Sequence, residues 1–383
     1  MTRAWYRPMT ARRSDEEHRV ATPLELLFDL SFVVAVASAA ANLHHALAED
    51  HLGAGVAGYL SVFFAIWWAW LNFTWFASAY DTDDVPYRLT TLVQIAGVLV
   101  VAAGVPRAFD RSDFTVITIG YVIMRLAMVA QWLRAAGTDP ERRACAHRYA
   151  LGITVVQAGW VARLWLPDSA FWVGFLVMVA AELAVPVWAE RAGRTTWHPH
   201  HVAERYGLFT LIVLGESILA ATGAVSSALD AGHSAAALIS LAVAGLVIVF
   251  TMWWLYFDHP AQELLTTLRF ALTWGYGHFL VFASVAAVGA GLEVAVDYDL
   301  HTAHLSRLAA GMATTVPVAV FLVVVWYLQV YPRRRGLTTW AFPVAALLTL
   351  LASFSPAPIH VAALVLAALV ASVVVTARRP IAP

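Results

Sequence analysis

Glu25 and Asp29 stand four residues apart in TPLELLFDLSFVVAV, residues 22–36, at the front of an apolar stretch that runs to about residue 48. On a helix that spacing sets both carboxylates on one face. Thr22, Pro23 and Glu25 fit the S/T-x-x-E capping box with proline at the first helical position, so Glu25 reads as a cap that the helix dipole also favours. Weakening such a cap costs about 0.5–1 kcal/mol. Asp29 lies about 7–9 Å into the helix at 1.5 Å per residue, beyond the reach of capping. A carboxylate at the bilayer centre costs roughly 2.5–3.5 kcal/mol, and less near the interface, unless it faces a partner or water. Two readings of Asp29 stay open: a structural contact with a neighbouring Arg or Trp, or a carboxylate that binds a proton or cation.

Other charges lie deep in apolar sequence. Glu216, in LIVLGESILA, is the deepest carboxylate, about 15–18 Å into its segment, with Ala220 and Gly223 on its face to admit a close helix neighbour. Arg125, in VIMRLAMV, sits at a similar depth, and two readings of Glu216 stay open: a pair with Arg125 across the repeat interface, or a carboxylate that binds a proton or cation during a cycle. Glu182 falls one turn before Pro186, and His278 is also deep. A buried Glu–Arg pair is as readily architectural as functional. Between segments, YDTDD brings Asp81, Asp83 and Asp84 together, an oxygen set that could gather cations, although acids clustered at a membrane surface are usually solvated. WHPHHVAER offers His198, His200, His201 and Glu204 in a spacing that matches none of the standard zinc patterns. No metal site and no catalytic residue are expected. The Trp-rich stretch WWAWLNFTWF reads as packing and interfacial anchoring rather than a cofactor box.

The elements that must position these groups are membrane helices. The 383 residues are 61% hydrophobic and 13% charged, with a mean hydropathy of +0.70, against roughly 25% charged in soluble domains. The fold class is all-α, a polytopic integral membrane helical bundle of about twelve transmembrane helices. Their spans read as 24–46, 56–79, 88–108, 114–134, 148–166, 170–189, 205–228, 234–257, 268–290, 306–330, 338–354 and 358–376. The lipid bilayer is the evident partner. A net charge of −1 gives no case for nucleic acid. All 24 basic residues are Arg, so there is no P-loop lysine and no Schiff base to retinal or pyridoxal phosphate. The single Cys145 allows no internal disulfide and no iron–sulfur cluster. No cofactor is expected.

Arginine placement orients the chain. With the N-terminus inside, 19 arginines fall on the cytoplasmic side and four outside, Arg107, Arg111, Arg163 and Arg307, so both termini are expected to be cytoplasmic. The two halves echo one another. LLFDLSFVVAVAS matches GLFTLIVLGESIL through Leu27/Leu208, Phe28/Phe209 and Leu30/Leu211. Each second helix carries a Trp pair, Trp67-Trp68 or Trp253-Trp254, ends near an acid, Asp81 or Asp258, and is followed by an Arg, Arg88 or Arg269. The expected organisation is a leader over 1–23, a six-helix repeat over 24–190, a linker over 191–204, a second, parallel six-helix repeat over 205–377 and a tail over 378–383. Repeats of this kind place a transporter's site near the midplane.

TPLELLFDLSFVVAV, the Trp-rich second helix ending in YDTDD, ERYGLFTLIVLGESILA and YFDH resemble the bacterial low temperature requirement A (LtrA) family, from about His18 to the last helix. The resemblance implies a multi-helix inner-membrane protein named for a role in growth in the cold. Its motifs fall on Glu25, Phe28, Asp29, Glu204, Arg205, Gly207, Gly215 and Glu216, and it carries over no catalytic residue. FDLSFVVAVA is also similar to the start of the first helix in potassium channels built of six-helix repeats, without a Ser between Phe28 and Asp29. Three function classes follow. The first is a gradient-driven transporter or channel for an ion or small solute, with hypothetical binding residues Asp29, Glu216, Arg125, Glu25, Glu182, His278, Asp81 and Asp258. The others are a membrane-embedded enzyme that handles lipid and a non-transporting factor in cold adaptation.

Overall fold

The computed structural model describes residues 5–14, 16, 19–230, 235–333, 336 and 338–377. Arg3, His18, Arg334, Arg335 and the tail with Arg378 and Arg379 lie outside the described residues. Among the described residues the regular structure is helical: α1 (Pro23–Ser31), α2 (Val33–Ala48), α3 (Leu52–Tyr80), α4 (Val85–Arg111), α5 (Thr115–Thr138), α6 (Arg143–Ala162), α7 (Phe171–Glu190), α8 (Pro199–Asp230), α9 (Ala235–Phe257), α10 (Leu268–Asp299), α11 (Arg307–Val325), α12 (Thr338–Ala352) and α13 (Pro358–Ala377). The first expected span is broken at Phe32 into α1 and α2, so the described helices form the expected twelve segments. Ten of these are long and apolar enough to cross a membrane. The two others are α6, which carries Arg143, His147, Arg148 and Gln157, and α12, which is 15 residues long. Such a set of apolar helices, with leucine and valine exposed along α7 and α13, makes a multi-pass membrane protein, because lipid leaves a helix's polar backbone no partner except itself.

Residue contacts divide the chain into two compact units that do not follow the expected halves: residues 1–35 with 64–206, and residues 36–63 with 207–383. The boundary falls inside α2, α3 and α8. In the first unit α4, α5, α6 and α7 pack in succession. Small residues set the closest approach, since a Cβ on Gly120 of α5 would lie 2.6 Å from the Val101 nitrogen of α4. The leader packs against this unit: Met9 is buried and exchanges hydrogen bonds with the Thr138 hydroxyl, and the Arg12 N–H donates to the Ala79 carbonyl.

In the second unit α10 packs on α11, α11 on α12, α12 on α13 and α13 on α9. The α8 segment here meets α10 where Gly289 lies against Ser217, whose hydroxyl donates to the Val285 carbonyl at 2.9 Å. Gly223 does not provide the expected contact. A Cβ on Gly223 would meet nothing within 4 Å, because α8 turns its Ser217 side to its neighbour instead.

The motifs paired between the halves occupy like environments in one case and unlike ones in another. Phe28 and Phe209 are both fully buried, whereas Trp67 and Trp68 are buried and Trp253 and Trp254 are each 44% exposed.

Candidate functional site

Two buried anionic centres lie in the first unit, and α3 serves both. Trp68 and Trp70 are two residues apart, about 200° around a helix. The Trp68 indole donates to Glu182 at 2.8 Å and the Trp70 indole to Asp29 at 2.7 Å. The Trp-rich helix therefore supplies hydrogen-bond donors to the interior as well as apolar packing.

The first centre grows from the start of α1. Thr22 caps the helix as its spacing implies: its hydroxyl accepts from the Glu25 N–H, and Glu25 Oε2 accepts from the Thr22 N–H at 2.7 Å. Capping uses only one oxygen of Glu25. The other, Oε1, lies 3.1 Å from Arg205 Nη1, 3.0 Å from His201 Nε2 and 3.3 Å from Arg19 Nη2. One turn further on, Asp29 is gripped by the same guanidinium, from Arg205 Nε to Oδ2 and from Nη2 to Oδ1, both at 2.6 Å. Glu25, Asp29, His201 and Arg205 are fully buried. Spacing correctly places the two acids on one face, and Arg205 in the first turns of α8 is the cation that this face requires. The signal for Arg205 is its position at the edge of an apolar run, in ERYGLF. Nothing local marks Arg19 or Trp70 as partners.

Asp81 extends this centre. Its carboxylate lies 3.5 Å from Arg19 and 3.7 Å from Arg12. Burial pushes Asp81 up to about 6, and the charge of Glu25 adds to the shift against the pull of Arg19 and Arg12. The other acids of YDTDD go elsewhere. Asp83 binds Arg88 through both oxygens at 2.7 Å. Asp84 caps α4 and pairs with Arg134. Burial alone would raise Asp84, but hydrogen bonds from Arg134, the Arg7 N–H and the Tyr87 N–H hold it below the usual carboxylate range. Each acid thus has its own arginine, and no group of three His, Cys, Asp or Glu among the described residues is arranged to hold a metal.

The second centre is Glu182, midway along α7. Its Oε2 accepts from Arg125 and Trp68, both at 2.8 Å, and its Oε1 from Tyr121 at 2.7 Å and from Gln157 and Trp160 at 3.2 Å. Five donors from α3, α5 and α6 converge on one carboxylate. Of the two readings of Glu216, pairing with Arg125 is therefore not the one found, because Arg125 Nη2 binds Glu182. Arg125 Nη2 reaches from α5 to the fully buried Glu182 of α7 within the same unit, a choice that single-helix depth could not reveal.

The remaining expected residues lie in the second unit. His278 is closed off: its Nδ1 donates to the Trp274 carbonyl at 2.7 Å, its Nε2 lies 3.0 Å from the Tyr256 hydroxyl, and its ring packs 4.0 Å from Trp274. Asp258 stands at the end of α9, 3.5 Å from His259. Glu216 is different. It is half-buried in mid-α8, makes no hydrogen bond or ion pair among the described residues, and lies within electrostatic range of Glu293 on α10. Sequence depth singles out Glu216 but gives no sign of Glu293.

The profile of the family described as bacterial low temperature requirement A protein (LtrA) matches residues 20–377. The chain is also 26% identical, over 323 residues, to a protein of Rhizobium meliloti (strain 1021) described as uncharacterized protein RA0937, a match that covers 78% of this chain and 76% of that one. With nearly the whole chain matched, from before the Thr22 cap to the end of α13, this multi-pass protein belongs to the bacterial low temperature requirement A family.

Proposed function

We propose that this chain is a gradient-driven transporter or channel for an ion or small solute in the bacterial inner membrane, with both termini cytoplasmic. The observation that carries the reading is Glu216. The other buried acids described above, Glu25, Asp29 and Glu182, have their oxygens occupied by cations and N–H or O–H donors. Among the described residues Glu216 has none of these, yet it sits deep in an apolar helix, where an unpaired carboxylate is costly and is retained at ion and proton pathways. The absence of Lys, and with it of a P-loop lysine, points to a gradient rather than ATP as the energy source. The proposed parallel duplication would fit the same reading; Phe28 and Phe209 are alike in being fully buried, and the two Trp pairs differ in exposure. The family's name makes growth in the cold the phenotype to examine.

The test uses the purified full chain in phosphatidylethanolamine–phosphatidylglycerol liposomes on a solid-supported membrane. Gradients of Na⁺, K⁺, Cl⁻ or pH are imposed one at a time. A protein-dependent current that Glu216→Gln abolishes without lowering the melting temperature is expected. Currents absent under every gradient, or unchanged in Glu216→Gln, overturn the reading.

A further inference from the structure

The second unit holds a chain of titratable groups that the two anionic centres do not use. Val285, Gly289, Glu293 and Asp297 recur every four residues on α10 and so form one stripe. At its inner end the stripe meets α8, where Ser217 lies on Gly289 and donates to the Val285 carbonyl. Glu216 is the residue before Ser217, and Glu293 is one turn, about 6 Å, beyond Gly289. At the outer end the stripe meets α2. His44 Nε2 lies 2.7 Å from Asp297 Oδ2, and His44 Nδ1 lies 3.7 Å from Glu293 Oε2. One imidazole therefore bridges two carboxylates, and the nearer of these to the membrane interior is in electrostatic range of Glu216.

We propose that Glu216, Glu293, His44 and Asp297 form a proton relay, in which His44 exchanges a proton with the exposed end at Asp297 and passes it through Glu293 to Glu216. This deepens the transport reading and rests on it, by naming the proton as the ion that Glu216 binds. Imidazole suits the position because each ring nitrogen can take or give a proton, so a proton arriving from Asp297 at Nε2 leaves from Nδ1 towards Glu293. No atom other than the proton moves, and no redox partner is needed. Asp297 is the most exposed of the three groups around the imidazole, with a side chain 30% exposed against 15% for His44 and 18% for Glu293. Among the described residues, charged or titratable groups near this stripe include His45, whose ring centroid is 5.0 Å from that of His44, and the exposed pair Glu49–His304 beyond the end of α2. Asp299 faces His301 and His360 instead.

Two measurements test the relay. In the first, the His44 ring signal of ¹⁵N-histidine-labelled full chain in detergent, identified by its loss in His44→Asn, is followed against pH. Its transition is expected to be displaced in Glu293→Gln and also in Glu216→Gln. A transition unmoved by both variants overturns the relay, whatever the flux. In the second, liposomes containing pyranine receive a pH gradient with all other ions symmetric. Wild-type protein is expected to carry protons, and Glu216→Gln to slow this about 100-fold, the scale on which a positioned proton-transfer group acts. Na⁺, K⁺ or Cl⁻ currents without proton movement overturn the relay and leave transport standing. No current under any gradient overturns transport, and the ring signal then decides whether the four groups still share a proton site.

Discussion

At the residue scale, Arg205 decides what Asp29 and Glu25 can do. A helix start with a spare acid one turn in would make Asp29→Asn harmless to the protein and Glu25→Gln a mild cap loss. The bidentate Arg205–Asp29 pair, with Glu25 on the third guanidinium nitrogen and Arg19 beside Glu25, makes both acids part of one buried assembly in which two carboxylates meet two guanidinium groups. Removing one charge strands its partner, at a cost of about 3–5 kcal/mol. Asp29→Asn and Arg205→Gln are therefore each expected to lower the melting temperature in detergent sharply, and the double variant to regain much of the loss. A double variant no better than either single one would show that the pair is not the unit.

Asp81 provides a pH test on the same assembly. Its carboxyl titrates at about 6 when folded, against about 3.9 in an unfolded chain. The folded state therefore binds this proton more tightly, and its contribution to stability is complete below about pH 4 and lost as pH rises through about 6. Asp81→Asn should melt above wild type at about pH 7.5 and match it at about pH 4, a difference on the order of 2–3 kcal/mol at 1.4 kcal/mol per pKa unit.

At the element scale, Glu182 acts as the clasp of the first unit. Trp68 of α3, Tyr121 and Arg125 of α5, and Gln157 and Trp160 of α6 all turn to this α7 carboxylate. Four helices thus share one charged contact in a region where apolar packing alone gives little direction to their registers. Glu182→Gln and Arg125→Gln should each destabilise by about 3–5 kcal/mol, with the double variant less damaged than their sum. Melting temperatures of the three variants measure this coupling. Adding Glu216→Gln to Arg125→Gln is expected neither to restore nor to lower further the melting temperature of the Arg125→Gln variant, because Arg125 pairs with Glu182.

At the scale of the whole molecule, orientation is the open quantity that charge predicts. Cys145 lies in the first turn of α6, next to the arginine-rich connection read as cytoplasmic, but the residue is 1% exposed and gives a poor probe. Glu141 in the same connection has a side chain 80% exposed. On a Cys145→Ala background, Glu141→Cys should react with an impermeant maleimide in inverted vesicles and stay unlabelled in intact spheroplasts. The reverse pattern would invert the chain in the membrane.

The membrane class was legible in the sequence because a spanning helix writes its length and apolarity into consecutive residues. So was the Thr22 capping box, whose partners are three residues apart, and so was the need for Asp29 and Glu216 to be accounted for, which follows from depth alone. The choice of partners was not legible. Arg125 could answer Glu216 or Glu182 equally well by depth, and Arg205 is 176 residues from Asp29. Helix neighbours decide such pairings, because burial makes a charge bind whichever partner the packing brings within 3 Å, and sequence distance has no bearing on that. Tertiary structure alone therefore separated the occupied acids, Glu25, Asp29 and Glu182, from the unoccupied Glu216, and joined His44 to a stripe on α10 more than 240 residues away.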